Sequence, residues 1–305
     1  MDLTDVVMTC PVFLNYPLAQ HTSWQVGGSA DVCFKPASIA ELQDALKKIP
    51  ANQQPFFLGL GSNTLIRDGG IRGTVISTRG LDRLHRIELT DLIYAEAGVS
   101  CATLARFAAR QGLGGLEFLA NIPGTVGGAL AMNAGANGSE TWQFVESVET
   151  ISQSGVTTQR LPSEFAIAYR KATGRAVEWF TGATFRCQKT SKEQSLSLIK
   201  DYLDRRQKTQ PINLPSCGCV FVNPEAASAG SLIDQAGLKG MRIGGAIVSE
   251  LHANFIVNQG QATSNDIERL IVRVADSIFN KFKIRLQAEV KIVGEIKDEQ
   301  FNNPD

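Results

Sequence analysis

The segment Ile122-Pro-Gly-Thr-Val-Gly-Gly-Ala-Leu-Ala-Met-Asn-Ala-Gly135 constrains the fold of this chain more than any other. Four glycines and three alanines fall within fourteen residues, and Thr125 and Asn133 are its only polar side chains. Glycine lets the backbone approach a ligand closely and reach positive φ, at an entropic cost that an ordinary loop need not carry. A run of small residues with outward-facing N–H groups can hold an anion, above all where a helix begins. The ordinary alternative is tight packing of a helix against a neighbour. A second glycine run, Gly59-Leu-Gly-Ser-Asn-Thr-Leu65, follows the apolar Pro55-Phe-Phe-Leu58, and Asp68-Gly-Gly70 closes the loop. Two such loops point to a ligand with an extended phosphate bridge. Neither is a standard fingerprint. The loop at Gly59 lacks the third glycine of G-x-G-x-x-G, and no G-x-x-x-x-G-K-[ST] disposes the chain to P-loop chemistry.

Length and composition set the frame. A chain of 305 residues suits two or three domains. A hydrophobic content of 43% with 20% charged residues is that of a soluble globular protein. Thirty basic and thirty acidic residues cancel, which argues against a nucleic-acid or membrane partner held by bulk charge. No apolar run approaches the roughly 18 residues of a membrane span. The start, Met1-Asp-Leu-Thr-Asp5, is acidic where a secretory signal is basic, so a cytoplasmic location is expected. The six cysteines are scattered without zinc spacing, and no metal is expected. In an extended segment, Cys217 and Cys219 would point to one face, either as two small buried hydrophobes or as working thiols.

Short apolar runs and turns predict strands at 30–34, 56–60, 74–77 and 92–96, with a helix over 38–49. Ala102, Ala105, Phe107, Ala108 and Leu113 keep helix-like spacing, and Gly112, Gly114 and Gly115 stop that helix. A hairpin is predicted from Val145–Ile151 and Val156–Leu161 around Gln153-Ser-Gly155, with a further strand over 177–185. A boundary falls near 188–194, followed by a helix that ends in Arg205-Arg206-Gln-Lys208 before Pro211. Ile267, Leu270, Ile271, Val274 and Ile278 mark an amphipathic helix opened by Thr263, with Asp266 three residues on. A closing strand is expected over 286–293, and a disordered tail over the last eight residues.

Three side chains stand out as candidates for chemistry. Tyr169-Arg170 follows a short apolar, helix-like turn. Cys219 lies in Ser216-Cys-Gly-Cys-Val-Phe221, where glycine beside a thiol lets a substrate come close. Glu289 interrupts the apolar alternation of its strand, and an inward carboxylate is costly unless it is paired or used. Each also has an ordinary reading as surface or core. His21, His85 and His252 read as structural.

These motifs coincide with those of a known family. The chain resembles the UDP-N-acetylenolpyruvoylglucosamine reductases, in their compact subtype, from about His21 to Gly294. The likeness rests on His21-Thr-Ser-Trp-Gln-Val-Gly-Gly28, the loop at 60–65, Ile122–Gly128 with Met132-Asn-Ala-Gly135, and Tyr169-Arg170. Further on it rests on Ser216–Phe221, Gly237-Leu-Lys-Gly240, Arg242-Ile-Gly-Gly245 and His252-Ala-Asn-Phe255. The resemblance implies an α+β fold with a two-part FAD-binding region of the PCMH or vanillyl-alcohol-oxidase kind and a C-terminal α+β substrate domain. Residues 1–80, completed by 289–305, would form the first FAD-binding subdomain, 81–190 the second, and 194–288 the substrate domain. FAD would lie on Gly59, Leu60, Gly61, Ser62, Asn63, Thr64 and Leu65, and on Pro123, Gly124, Thr125, Gly127, Gly128 and Asn133.

The implied reaction is NADPH-dependent reduction of UDP-N-acetylglucosamine enolpyruvate to UDP-N-acetylmuramate, with NADPH and sugar using one site in turn. Arg170 matches the arginine that faces the enolate, and Glu289 the carboxylate near the same group, with a raised pKa. Cys219 stands where the best-known relatives carry a proton-donating serine. A thiol of pKa about 8.5 is a stronger acid than an alcohol and can fill that role. Tyr169 and Asn223 match positions that contact the sugar nucleotide; Arg206, with Arg205 and Lys208, would meet the diphosphate, and Lys239 joins them. A monomer is expected. Two other readings stay open: another FAD-dependent oxidase or dehydrogenase of this architecture, and a flavin-binding protein without turnover.

Overall fold

The structure, a computed structural model, describes residues 10–174, 176–225 and 227–297. The acidic start at 1–5 and the tail at 298–305 therefore lie outside the described residues. Two compact units emerge. One comprises the chain up to Leu14, Val32–Gly59 and Gly73–Asp204; the other comprises Asn15–Asp31, Leu60–Arg72 and the chain from Arg205 onward. Each mixes helices with sheet, so the architecture is α+β.

In the first unit, helix α1 (Ile39–Lys47) begins at Ser38, whose side chain accepts the Glu41 N–H. Its apolar face, Leu42, Ala45 and Leu46, joins Phe34, Ile76, Leu81 and Ile151 in one core. Strand Phe56–Leu58 runs parallel to Ile71–Ser77, with Phe56 opposite Val75. The larger sheet is antiparallel, in the order Thr157–Arg160, Val145–Ser152, Glu178–Arg186, Leu92–Glu96, Leu84–Arg86. The predicted hairpin around Gly155 is present, and that glycine sits at φ 82°. Helix α2 (Cys101–Arg110) packs Leu104, Ala105 and Ala108 into the core beside this sheet. Gly112, at φ 69°, turns the chain out of α2, and Leu113 pairs with Lys189 as a strand instead of extending the helix. Helix α3 (Val126–Ala131) lies in the glycine–alanine segment, and α4 (Lys192–Thr209) follows the larger sheet.

The second unit holds helix α5 (Ala229–Gln235) and helix α6 (Ser264–Phe282). The apolar stripe read from sequence is buried as expected: Ile267, Leu270, Ile271, Val274 and Ile278 pack with Trp24, Leu65, Val220 and Phe221. Each such aliphatic side chain contributes roughly 1.5–3 kcal/mol on burial. Thr263 caps α6, and Asp266 returns the bond to complete a capping box. A three-stranded antiparallel sheet runs Arg242–Ile243, Ala246–Val248, Ile256–Asn258. Lys291–Val293 pairs in parallel with Thr64–Ile66. The closing strand is thus shorter than the expected 286–293, because residues 287–289 pair instead with the segment after Cys219, as a short ladder outside any regular strand.

Candidate active site

The glycine–alanine segment divides into a part used for close packing and a part whose N–H groups have no protein acceptor among the described residues. The N–H groups of Val126 and Gly127 do not face a ligand, since they donate to the carbonyls of Val99 (2.8 Å) and Ala97 (2.9 Å). A Cβ on Gly127 would come within 2.9 Å of the Ala97 Cβ, so this glycine exists for close packing. Gly124 and Thr125 behave differently: among the described residues, neither main-chain N–H has a protein acceptor. Thr125 is buried, and its hydroxyl caps α3 by accepting the Gly128 N–H. A Cβ on Gly59 would lie 2.6 Å from the Thr125 Oγ1, so the two glycine loops meet at this pair.

The loop after Gly59 is built alike. The main-chain N–H groups of Leu60, Gly61, Ser62 and Asn63 find no protein acceptor among the described residues. Gly61 sits at φ 62° and its bare Cα abuts the His21 carbonyl. Consecutive N–H groups around a left-handed residue form a concave donor for an anion. Thr64 and Leu65 leave the loop as a strand. The Asn63 side chain points elsewhere: its Nδ2 donates to the Glu289 carbonyl (3.1 Å), while the Asn63 main-chain carbonyl accepts the Lys291 N–H (3.0 Å). Asn133 also turns inward. Its Nδ2 donates to Glu140 (2.8 Å) and to the Ala168 carbonyl (3.2 Å), and its Oδ1 accepts the Trp142 N–H.

Tyr169 and Arg170 do not follow a helix-like turn. They form the tip of a hairpin between Phe165–Ala168 and Lys171–Gly174, with Ala168 opposite Lys171. The Arg170 guanidinium lies over the Tyr169 ring at 4.6 Å, and its Nη2 donates to the Gly135 carbonyl (3.4 Å). The hairpin thus leans on the segment that carries Asn133 and Gly135.

Cys219 and Glu289 are brought near each other in the second unit. The Glu289 N–H donates to the Val220 carbonyl (2.8 Å), the Val222 N–H to the Gln287 carbonyl (2.9 Å), and Phe221 pairs with Ala288. The two thiols of Cys217-Gly-Cys219 are not equivalent, because Gly218 at φ 81° breaks the extended path that would set them on one face. Cys217 enters the core, whereas Cys219 is half-buried. Burial pushes the Cys217 thiol well above its usual pKa, and the nearby Cys219 and Glu289 add to the shift.

The remaining sequence-selected residues lie apart. Asn223 is exposed and accepts the Ala229 N–H at the start of α5. Lys239 pairs with Asp234 (2.9 Å). Arg206 is half-buried near the end of α4, donates to Gln210, and has its pKa lowered by desolvation. Asn254 stands in the sequence motif His252-Ala-Asn-Phe255, and its side chain grips Phe221 by two hydrogen bonds. A buried amide beside a thiol-bearing segment is the signal that could have found it.

Comparison with known proteins now bears on this geometry. Residues 30–159 match the FAD binding domain family, and residues 210–293 match the family described as UDP-N-acetylenolpyruvoylglucosamine reductase, C-terminal domain. UDP-N-acetylenolpyruvoylglucosamine reductase of Alkalilimnicola ehrlichii is 50% identical over 92% of this chain and 93% of its own. The protein of that name from Nitrosospira multiformis is 45% identical over 91% of this chain and 87% of its own. A crystal structure of UDP-N-acetylenolpyruvylglucosamine reductase from Thermus caldophilus superposes with a TM-score of 0.79 at 34% identity, covering 93% of this chain and 98% of that one. The fold and these matches define an FAD-dependent oxidoreductase. The chain belongs to the UDP-N-acetylenolpyruvoylglucosamine reductase family. Each glycine loop, taken by itself, offers main-chain N–H groups that have no protein acceptor among the described residues, which is the donor chemistry that the diphosphate of FAD needs.

Proposed function

We propose that this chain reduces UDP-N-acetylglucosamine enolpyruvate to UDP-N-acetylmuramate at the expense of NADPH, in the cytoplasm, as a step toward peptidoglycan precursors. The observation that carries this reading is the backbone ladder that bonds Glu289 to Val220, the residue after Cys219, in a chain half identical to named reductases. Leu60–Asn63 with Gly124 and Thr125 would hold the FAD diphosphate, and Pro123, Gly128, Thr64 and Leu65 would line it. When bound, FAD would supply the hydride chemistry for reducing the enolpyruvyl double bond, with NADPH as the source of electrons. The electron pair left on the adjacent carbon spreads into the substrate carboxylate. Arg170 faces that charge; one well-aimed donor of this kind is worth about 3 kcal/mol. The Cys219 thiol gives its proton to the α-carbon and regains one from solvent. Glu289 would share a proton with the same carboxylate. Tyr169, Asn223, Arg206 and Lys239 would bind the sugar nucleotide. The three-part division at 1–80 with 289–305, 81–190 and 194–288 remains our reading of the domains, with a monomer as the working unit.

The test is to purify the protein with its flavin, reduce it anaerobically with NADPH, and then add the enolpyruvyl sugar. Reoxidation with formation of UDP-N-acetylmuramate is expected. A flavin that NADPH reduces but the sugar leaves reduced would overturn the proposed reaction.

A further inference from the structure

We infer that Asn254 is a positioning residue that holds the Cys219 segment in register for proton delivery, an inference that rests on the reading of Cys219 as proton donor. The ladder with residues 287–289 is closed by Val220 and Val222, and among the described residues the Phe221 N–H and carbonyl make no backbone–backbone hydrogen bond. On the Asn254 side the chain turns, with the Phe255 N–H bonded to the His252 carbonyl, and cannot run alongside as a strand. Asn254 fills that place. Its Oδ1 accepts the Phe221 N–H and its Nδ2 donates to the Phe221 carbonyl, both at 2.9 Å. Its main-chain carbonyl accepts the Val220 N–H, also at 2.9 Å.

An amide side chain carries the same donor and acceptor as a peptide group, so it can complete a ladder where no strand fits. Three bonds from a single residue, itself 3% exposed, fix the two residues that follow Cys219. Phe221 and Val220 are fully enclosed in the core, so their polar groups have no water to turn to. Without Asn254, the ladder to Glu289 would be anchored from one side, and the thiol would be free to drift by the fraction of an ångström that proton transfer does not tolerate.

The test uses the holoenzyme and separates the two half-reactions by following flavin absorbance. Asn254→Asp keeps the acceptor for the Phe221 N–H and removes the donor to its carbonyl. Flavin reduction by NADPH should stay within about twofold of the parent, while reoxidation by the enolpyruvyl sugar should slow by about tenfold or more. In a Cys219→Ala background, the Asn254 substitution should slow reoxidation no further, because the group being positioned is gone. Equal slowing in both backgrounds, or none in either, overturns the inference while leaving Cys219 in place. Parent-like reoxidation in Cys219→Ala alone would instead remove the proton-donor reading beneath it. Should Asn254→Asp not fold, hydrogen exchange on the parent decides: the Phe221 amide should exchange as slowly as those of Ile256 and Val257, and fast exchange there overturns the proposal.

Discussion

Arg170 occupies a backbone conformation that arginine rarely adopts. It sits at φ 57° in the two-residue turn between Ala168 and Lys171, where glycine or asparagine would be at ease. An L-residue in this region costs about 1–2 kcal/mol, and such strain gathers where a side chain must be aimed. The surroundings explain how it is held: Asn133 bonds the Ala168 carbonyl, and the guanidinium rests between the Tyr169 ring and the Gly135 carbonyl. Arg170→Gly should therefore leave stability unchanged or raise it by up to about 1 kcal/mol, since glycine's greater freedom in the unfolded chain offsets part of the relief. Turnover should fall by roughly 10²–10³-fold with the loss of the charge partner. Denaturant unfolding and kcat measured together check this. A variant destabilised by well over 1 kcal/mol would mean that Arg170 serves the fold, and the strain would need another cause. Asn133 marks what sequence could not reveal here. Its polarity within an apolar segment made it conspicuous, but whether its amide faces outward or clamps a hairpin depends on residues 140, 142 and 168, which only folding brings to it.

Helix α6 shows how one element ties distant chain segments together. The Asp68 carboxylate accepts the N–H groups of Ser264 (3.0 Å) and Asn265 (2.9 Å) at its first turn. The Ser264 hydroxyl donates to the Ile66 carbonyl, and Arg67 makes a two-pronged pair with Glu268 on the next turn. A negative side chain at a helix N-terminus meets both the unpaired donors and the positive end of the helix dipole. These contacts hold the strand Thr64–Ile66 in line for its parallel pairing with Lys291–Val293, just beyond Glu289. Asp68→Ala should cost about 1–2 kcal/mol in denaturant unfolding and is expected to leave flavin loosely held, because the loop at 60–63 runs into that strand. Tight flavin in a variant destabilised by that amount would show that the loop keeps its shape without the anchor. Helix α6 itself was legible from sequence, since its cap and apolar stripe are local patterns. The strand Thr64–Ile66 and helix α5 were not: three and seven residues carry too little periodicity, and their form comes from partners far along the chain.

Across the whole molecule, the cysteines couple folding to alkaline pH. Cys10, Cys33, Cys101, Cys187 and Cys217 are buried, and desolvation raises each thiol from the ordinary 9.0. Cys10 and Cys33 are pushed up to about 11, and Cys101 and Cys187 to about 12. Their scatter in the sequence does not tell which are buried; only the packed cores decide that all five are enclosed while Cys219 is half-buried. The sign of the linkage follows directly. Above about pH 9 the unfolded chain releases these protons while the folded chain keeps them, so the unfolded state binds fewer protons and stability falls as pH rises. Each thiol takes about 1.4 kcal/mol per pH unit until its folded pKa is reached. The Tyr94 phenol, half-buried and donating to Glu149, is raised as well and acts in the same direction. Stability should thus begin to fall near pH 9 and, with five thiols acting at that rate, drop by roughly 10 kcal/mol by about pH 10.5, measured by urea unfolding with reductant present. Cys101→Ala should flatten that descent by about one proton's worth, or about 1.4 kcal/mol per pH unit. An unchanged slope in Cys101→Ala, or a descent that begins well below pH 9, would mean that groups other than the buried thiols govern alkaline unfolding.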